Sequence, residues 1–268
     1  MMKRHVFFIS DRTGITAENL GASLLTQFPD IDFQRTNIPF VTNEEAAHTA
    51  VATIRSQTQG KEAPIVFSTL TDMKVQAIIT DSSPYVFDLF GTFIDPLENA
   101  LGMVSSHKAG KMHGIGDTEA YEKRVHAVNF TLGHDDGLSL RNLEEADIVL
   151  IGVSRCGKTP TCLYLAMQYS LKAANYPLVQ DDLENSTLPP ALSRCRSKLY
   201  GLTINPEQLS RIRHERRPTG EYSQLTRCQW EVSRAEKLLR EEDIPFIDTT
   251  TVSIEEIAAT AGRDMGLR

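Results

Sequence analysis

Short apolar runs rich in strand formers alternate with helix-forming stretches along the chain. Val6–Ile9 is the first such run; it ends at Ser10-Asp11, and Thr13-Gly14 follows. Leu20, Leu24 and Phe28, spaced four apart, predict a helix over about Thr16–Phe28. Phe33–Val41 reads as a second strand whose end is weakened by Pro39. Asn43–Gln57 is polar and helical, Pro64–Ser68 is a third strand, and Asp72–Thr80 is a helix. Tyr85–Asp88 reads as a short strand and Phe93–Leu101 as another helix. Strands alternating with helices predict a mainly parallel sheet covered on both faces.

The pattern lapses between Gly102 and Thr118, where glycines, lysines, His107 and His113 replace the apolar residues. This stretch reads as a linker or mobile loop, with no role for its histidines. Glu119–Leu132 is a predicted helix that leads into His134-Asp135-Asp136-Gly137. A second α/β unit starts at Ala146. Its strands are Asp147–Val153, Leu199–Ile204 and Ile244–Asp248. Its helices are Lys158–Leu171, Pro206–Arg216 with proline in the first turn, Leu225–Arg240 and Ser253–Ala261. Ser253 and Glu256 have the spacing of a capping box. No internal sequence repeat is visible.

The decisive motif lies between the strand Asp147–Val153 and the helix after it. Gly152-Val153-Ser154-Arg155-Cys156-Gly157-Lys158-Thr159 fits G-x-x-x-x-G-K-[ST] without a gap. Gly152 and Gly157 permit backbone conformations that a Cβ hinders, so successive N–H groups can form an anion nest. The helix start adds its free N–H groups and positive dipole end. Lys158 supplies a point charge to the terminal phosphate, Arg155 a second charge, and the Thr159 hydroxyl a ligand for Mg2+. Cys156 would feel a depressed pKa in this setting, yet its backbone suffices to explain the position. Pro160 falls in the first helical turn, where a missing N–H costs little. A second metal-holding acid is Asp248, Asp181 or Asp182; the sequence leaves the three open.

The fold predicted is thus α/β, with an N-terminal α/β region at 1–117 and a P-loop domain at 118–268. Two other turns carry chemistry. His134-Asp135-Asp136-Gly137 pairs carboxylates beside the phosphate loop, a pattern for metal binding or general-base work; its plainer reading is a helix-ending turn. Ser10-Asp11-Arg12-Thr13-Gly14 follows a strand, where open α/β sheets take ligands; its plainer reading is a helix start.

Composition narrows the classes. Hydrophobic residues make up 41% and charged ones 24%, which excludes disorder as the main state. The net charge of −7 argues against general nucleic-acid binding. Arg211, Arg213, Arg216 and Arg217 form a local basic stretch, interrupted by Glu215, that reads as a solvated helix end. Cys156, Cys162, Cys195 and Cys228 include no C-x-x-C pair, so a zinc site is not expected. No apolar run suits a signal peptide or a membrane span, so a reducing cytoplasm is expected, with free thiols.

The residues resemble a known family. The chain is similar to the kinase–phosphorylases that regulate phosphoenolpyruvate synthase and pyruvate, phosphate dikinase. The carrying segments are His5–Asp11, Thr131–Arg141 and Ile151–Pro160, with support from Leu163–Met167, Ala173–Pro177 and Leu199–Thr203. The resemblance implies phosphorylation of a threonine beside the catalytic histidine of a target enzyme. It implies ADP as donor, with AMP released. It also implies the reverse step, in which inorganic phosphate attacks the phosphothreonine and pyrophosphate leaves. The Cys156-Gly157-Lys158-Thr159 form resembles the synthase branch, which makes phosphoenolpyruvate synthase the expected partner. Gly152–Thr159 carries over as the nucleotide loop, and His134, Asp135 and Asp136 as a family motif with catalytic roles. A homo-oligomer is also implied. The competing readings are a regulator of the dikinase, a P-loop small-molecule kinase and a non-catalytic nucleotide sensor.

Overall fold

A computed structural model describes residues 2–58, 62–106, 118–137, 141–185 and 187–267. Residues 107–117 of the linker stretch, with His107 and His113, and residues 138–140 after the acidic motif lie outside the described residues. The chain divides into two compact units, Met1–Ile115 and Gly116–Arg268.

The first unit has four parallel strands: β1 (Met2–Ser10), β2 (Ile31–Ile38), β3 (Ile65–Thr69) and β4 (Tyr85–Asp88), in the order β2-β1-β3-β4. Its helices are α1 (Ile15–Leu25), α2 (Glu44–Thr58), α3 (Met73–Thr80) and α4 (Leu89–Leu101). The period of two along β1 divides the core. Phe7 and Ile9 pack with Ala47, Ala50, Val51 and Ile54 of α2 and Val75 and Ile79 of α3. Val6 and Phe8 face the other way, against Ala17 and Leu25 of α1 and Leu89 of α4. Every helix in the unit thus covers one of two faces, as a parallel sheet requires.

Helix α1 forms where expected, but the apolar series that predicts it is not its buried face. Leu20, Leu24 and Phe28 are exposed, whereas Ala17, Gly21 and Leu25 are buried. The reason is close approach: a Cβ on Gly21 would come within 2.5 Å of Phe8 and 2.8 Å of Phe67. Small residues let the helix backbone sit on two aromatic rings. Helix α4 starts at Leu89 rather than Phe93, because Asp88 closes β4 and caps the helix, accepting from the Gly91 N–H at 2.9 Å.

The second unit begins with α5 (Thr118–Gly133). Its sheet comprises β5 (Ile148–Gly152), β6 (Ala173–Pro177), β7 (Leu199–Thr203) and β8 (Phe246–Asp248), again all parallel, in the order β6-β5-β7-β8. The remaining helices are α6 (Lys158–Tyr169), α7 (Gln180–Asn185), α8 (Pro190–Ser193), α9 (Pro206–Arg216), α10 (Leu225–Glu241) and α11 (Ile254–Asp264). Strand β6 has no counterpart in the hydrophobic pattern. Its sequence, Ala-Ala-Asn-Tyr-Pro, lacks β-branched residues, yet its first three residues are buried beside β5. The capping box at Ser253 and Glu256 forms as its spacing predicts.

Gly21→Ala should lower stability by about 1–3 kcal/mol, as overpacking of a filled core does. Urea unfolding of the two proteins checks this; equal midpoints would mean that the Phe8 and Phe67 rings can yield.

Candidate functional site

Strand β5 is buried along its length and delivers the phosphate loop at its C-terminal end, between β6 and β7. Gly152 is required by contact: a Cβ there would lie 2.2 Å from the Leu202 carbonyl oxygen on β7. Arg155 has φ 77° and Gly157 φ 94°, both left-handed. For Arg155 that conformation costs about 1–2 kcal/mol, which the surrounding contacts must offset.

Those contacts come from behind the loop. Arg213 of α9 is fully buried. Its Nη2 donates to the Ser154 carbonyl at 3.0 Å, its Nη1 to the Tyr222 carbonyl at 3.1 Å, and its Nη2 also to Glu231 at 2.6 Å. The guanidinium lies 4.3 Å from the centre of the Tyr222 ring, and the Tyr222 hydroxyl meets the Ser154 hydroxyl at 3.0 Å. The Thr249 hydroxyl is shared between the Thr203 carbonyl at 3.0 Å and the Cys156 carbonyl at 3.2 Å. With these carbonyls turned toward Arg213 and Thr249, the next N–H across each planar trans peptide points the opposite way. The amides of Arg155 and Gly157 therefore face away from these anchors, as an anion nest requires.

Arg213 thus leaves the basic stretch that the sequence suggests: it is an internal anchor, while Arg211, Arg216 and Arg217 are exposed. A buried arginine within a charged helix was illegible because α9 shows no strong apolar stripe to mark its inner face. The available signal was its four-residue offset from Leu209, which is also fully buried.

Lys158 is 4% exposed and donates to the Val153 carbonyl at 2.9 Å, folded over its own loop. Thr159, at the start of α6, donates to Asp135 Oδ1 at 2.8 Å. Asn175 of β6 ties the acidic turn in place. Its Nδ2 donates to Asp135 Oδ1 and, at 3.3 Å, to Thr159 Oγ1. Its Oδ1 accepts from the Asp136 N–H at 3.0 Å, and its own N–H donates to the His134 carbonyl at 3.2 Å. Asn175 is 3% exposed and is the main site residue that sequence reasoning missed; a buried amide beside small residues was the signal.

The acidic turn is a short 3-10 segment with Asp136 at φ 47° and Gly137 at φ 70°. His134 braces it: Nδ1 faces the Phe130 carbonyl and Nε2 the Arg141 carbonyl, each at 2.8 Å, and the ring stacks on Phe130 at 4.0 Å. Among the described residues, the Asp136 carboxylate has no hydrogen-bond partner, and the residue is exposed.

The three acids proposed as second metal holders are engaged elsewhere or exposed. Asp248 ends the edge strand β8 and accepts from the Thr250 N–H at 2.9 Å. Asp182 accepts from the Val179 N–H at 3.0 Å, and Asp181 is exposed on α7. The acid beside Thr159 is Asp135. A carboxylate and a hydroxyl are hard oxygen donors, which fits Mg2+ that takes its other ligands from phosphates and water.

Cys156 does not follow the expectation of a depressed pKa. Burial pushes its thiol up, and the nearby Lys158 charge only partly opposes this. Burial raises Cys162, Cys195 and Cys228 as well.

The profile of the family described as Kinase/pyrophosphorylase matches residues 6–261. The chain belongs to the kinase/pyrophosphorylase family. Relatives carry the provisional name phosphoenolpyruvate synthase regulatory protein. One from Bordetella parapertussis is 47% identical, covering 99% of this chain and 97% of its own. One from Ralstonia nicotianae is 50% identical over 98% and 94%, and one from Alkalilimnicola ehrlichii 52% over 96% and 93%. The family name denotes a transferase, and the phosphate loop lies within the matched span. No helix among the described residues is long and apolar enough to cross a membrane.

Two outcomes are expected. Glu231→Ala leaves the Arg213 charge buried without its carboxylate, and should cost about 3–5 kcal/mol in urea unfolding while weakening nucleotide binding; unchanged stability would remove Arg213 as the anchor. Because the folded thiol pKa values lie above the ordinary one, alkylation by iodoacetamide at pH 8 should be slow until urea unfolds the chain. Rapid labelling of Cys156 in the folded protein would contradict its burial.

Proposed function

We propose that this chain regulates phosphoenolpyruvate synthase by phosphorylating a threonine near that enzyme's catalytic histidine, with ADP as donor, and by reversing the mark with inorganic phosphate. The observation that carries this reading is the acidic turn at the mouth of the phosphate loop. Asp135 is held on the Thr159 hydroxyl, and Asp136 beside it is exposed and unengaged. A nucleotide sensor has no need of a free carboxylate there. The family and the naming of its relatives support phosphoenolpyruvate synthase as the target.

In the forward direction the loop amides and Lys158 hold the β-phosphate of ADP and take up charge as it transfers. Lys158 must leave the Val153 carbonyl to do so. Asp135 and Thr159 would hold Mg2+, which supplies charge neutralisation between the phosphates. Asp136 accepts the proton of the threonine hydroxyl as its oxygen bonds to phosphorus and the bond to AMP breaks. In the reverse direction an oxygen of inorganic phosphate bonds to the phosphorus of phosphothreonine. The threonine oxygen leaves with the proton from Asp136, and pyrophosphate departs. His134 acts by holding the turn. Val153, Ser154, Arg155, Cys156 and Gly157 contribute backbone, and Arg155 adds its exposed charge.

The site of action in this reading is the cytoplasm, with neither nucleic acid nor membrane involved. A homo-oligomer is part of the proposal: Phe93, Leu97 and Leu101 are exposed at four-residue spacing along α4, an apolar row of the kind that subunit contacts cover.

The test is mass spectrometry of purified protein with phosphoenolpyruvate synthase and either ADP or ATP. The expected result is a phosphothreonine formed with ADP, AMP release, and loss of the mark with pyrophosphate release when phosphate is added. Asp136→Asn should slow both directions by about 10²–10⁴-fold. A mark with ATP alone, or none with either nucleotide, would overturn the assignment, even if Lys158→Ala still abolished nucleotide binding.

A further inference from the structure

The two sheets share one strand order. In each unit the first strand lies between the second and the third, so the turns that follow the first strand open a crevice where the chain reverses direction across the sheet. In the second unit that turn is the phosphate loop after β5. The equivalent turn in the first unit is Ser10–Gly14 after β1, the polar, glycine-bearing stretch that the proposed reaction leaves unused.

A cavity of about 330 Å³ opens at this turn. Its polar wall includes Asp11, Arg12 and Thr71, and its apolar side is Val41, Leu70 and Val75. Three strand-to-helix turns therefore meet around it: those after β1, β2 and β3. The volume suits a small ligand, and an apolar lining with a few convergent polar groups is how such sites are built.

Asp11 is the informative residue. It is only 9% exposed. Its Oδ2 accepts from the Thr71 N–H at 3.2 Å and from the Thr71 hydroxyl at 2.7 Å. Its Oδ1 accepts nothing among the described residues. That oxygen is not sealed in the interior, and Asp11 lines the cavity, so a molecule bound there could supply the donor it lacks. At the mouth, the exposed Arg12 guanidinium has no acid partner among the described residues. An arginine in that state suits a planar or tetrahedral anion.

We propose that this cavity is a second ligand site, for a small molecule that carries hydroxyl or ammonium donors next to an anionic group. The donors satisfy Asp11, the anion pairs with Arg12, and the carbon body lies against Val41, Leu70 and Val75. A ligand with acceptors alone fails, because it would set like charge against Asp11. Sugar phosphates and amino acids both offer this chemistry. The site is separate from the reaction proposed above and does not depend on it.

Asp11 also ties the turn after β1 to the turn after β3, so the test must separate binding from folding. Asp11→Asn keeps an oxygen for Thr71 but turns an NH2 toward the cavity, opposing donors with donors. Arg12→Ala removes an exposed side chain that holds nothing in place. The experiment uses the full chain carrying Lys158→Ala, which silences the phosphate loop. Amide shifts of Asp11, Thr42 and Thr71 are followed by NMR during titration with ribose 5-phosphate, L-serine or pyruvate. The expected result is saturable shifts with ribose 5-phosphate or L-serine, whichever class the site takes, and none with pyruvate. Both variants should weaken that binding at least tenfold (a tenfold change is about 1.4 kcal/mol), with unfolding midpoints unchanged. Absence of saturable shifts with both donor-bearing probes, equal binding of pyruvate, or undiminished binding in Arg12→Ala would overturn the proposal.

Discussion

The guanidinium of Arg213, sealed in the interior and shared between the Ser154 carbonyl, the Tyr222 carbonyl and Glu231, holds the phosphate loop in shape. A loop of this kind must turn several amides toward one point, an arrangement that free backbone does not favour. Its carbonyls therefore need acceptable partners on the far side. Arg213 and Thr249 provide them, and the left-handed conformation of Arg155 is tolerated because its neighbours are fixed. Burying an unpaired charge to do this would be prohibitive. Glu231 makes it possible, and Arg227 holds the other oxygen of Glu231 at 2.7 Å.

Much of this was legible in the chain, and the illegible parts share a cause. The loop Gly152–Thr159 was readable because its positions answer to local requirements: a strand before, a helix after, and glycines where the backbone takes a positive φ. The parallel α/β architecture was readable from the alternation of apolar runs and helical stretches. What escaped was non-local. Strand β6 is held by burial beside β5 rather than by β propensity, so Ala173–Pro177 gave no signal. Asn175 and Arg213 are polar residues whose roles exist only once distant segments meet. The contact of Asp135 with Thr159 is of the same kind, since it joins a turn before β5 to the helix after it. On α1 the error runs the other way. Leu20 and Leu24 are the hydrophobic residues, yet the closest packing belongs to Gly21, where absence of a side chain is what the aromatic core demands.

Both units place their first strand between the second and third, but they furnish the resulting crevice differently. In the second unit the turn is glycine-rich and presents backbone amides, suited to phosphate. In the first it presents a buried carboxylate and an arginine, suited to a ligand with donors of its own. One topology thus carries two different turns, and the residues of the turns, not the sheets, decide what each presents.

The anchors of the phosphate loop are spread far along the chain: Asn175, Arg213, Glu231 and Thr249 all follow it. During synthesis the motif at Gly152–Thr159 emerges well before the residues that shape it. At ordinary translation rates the interval between Thr159 and Thr249 is roughly 5–20 s. Over that time the nascent loop has its sequence but lacks its partners, so a growing chain completes the shape of the loop only near the end of its translation. A product truncated before Thr249 would carry the whole motif without one of the contacts that shape it.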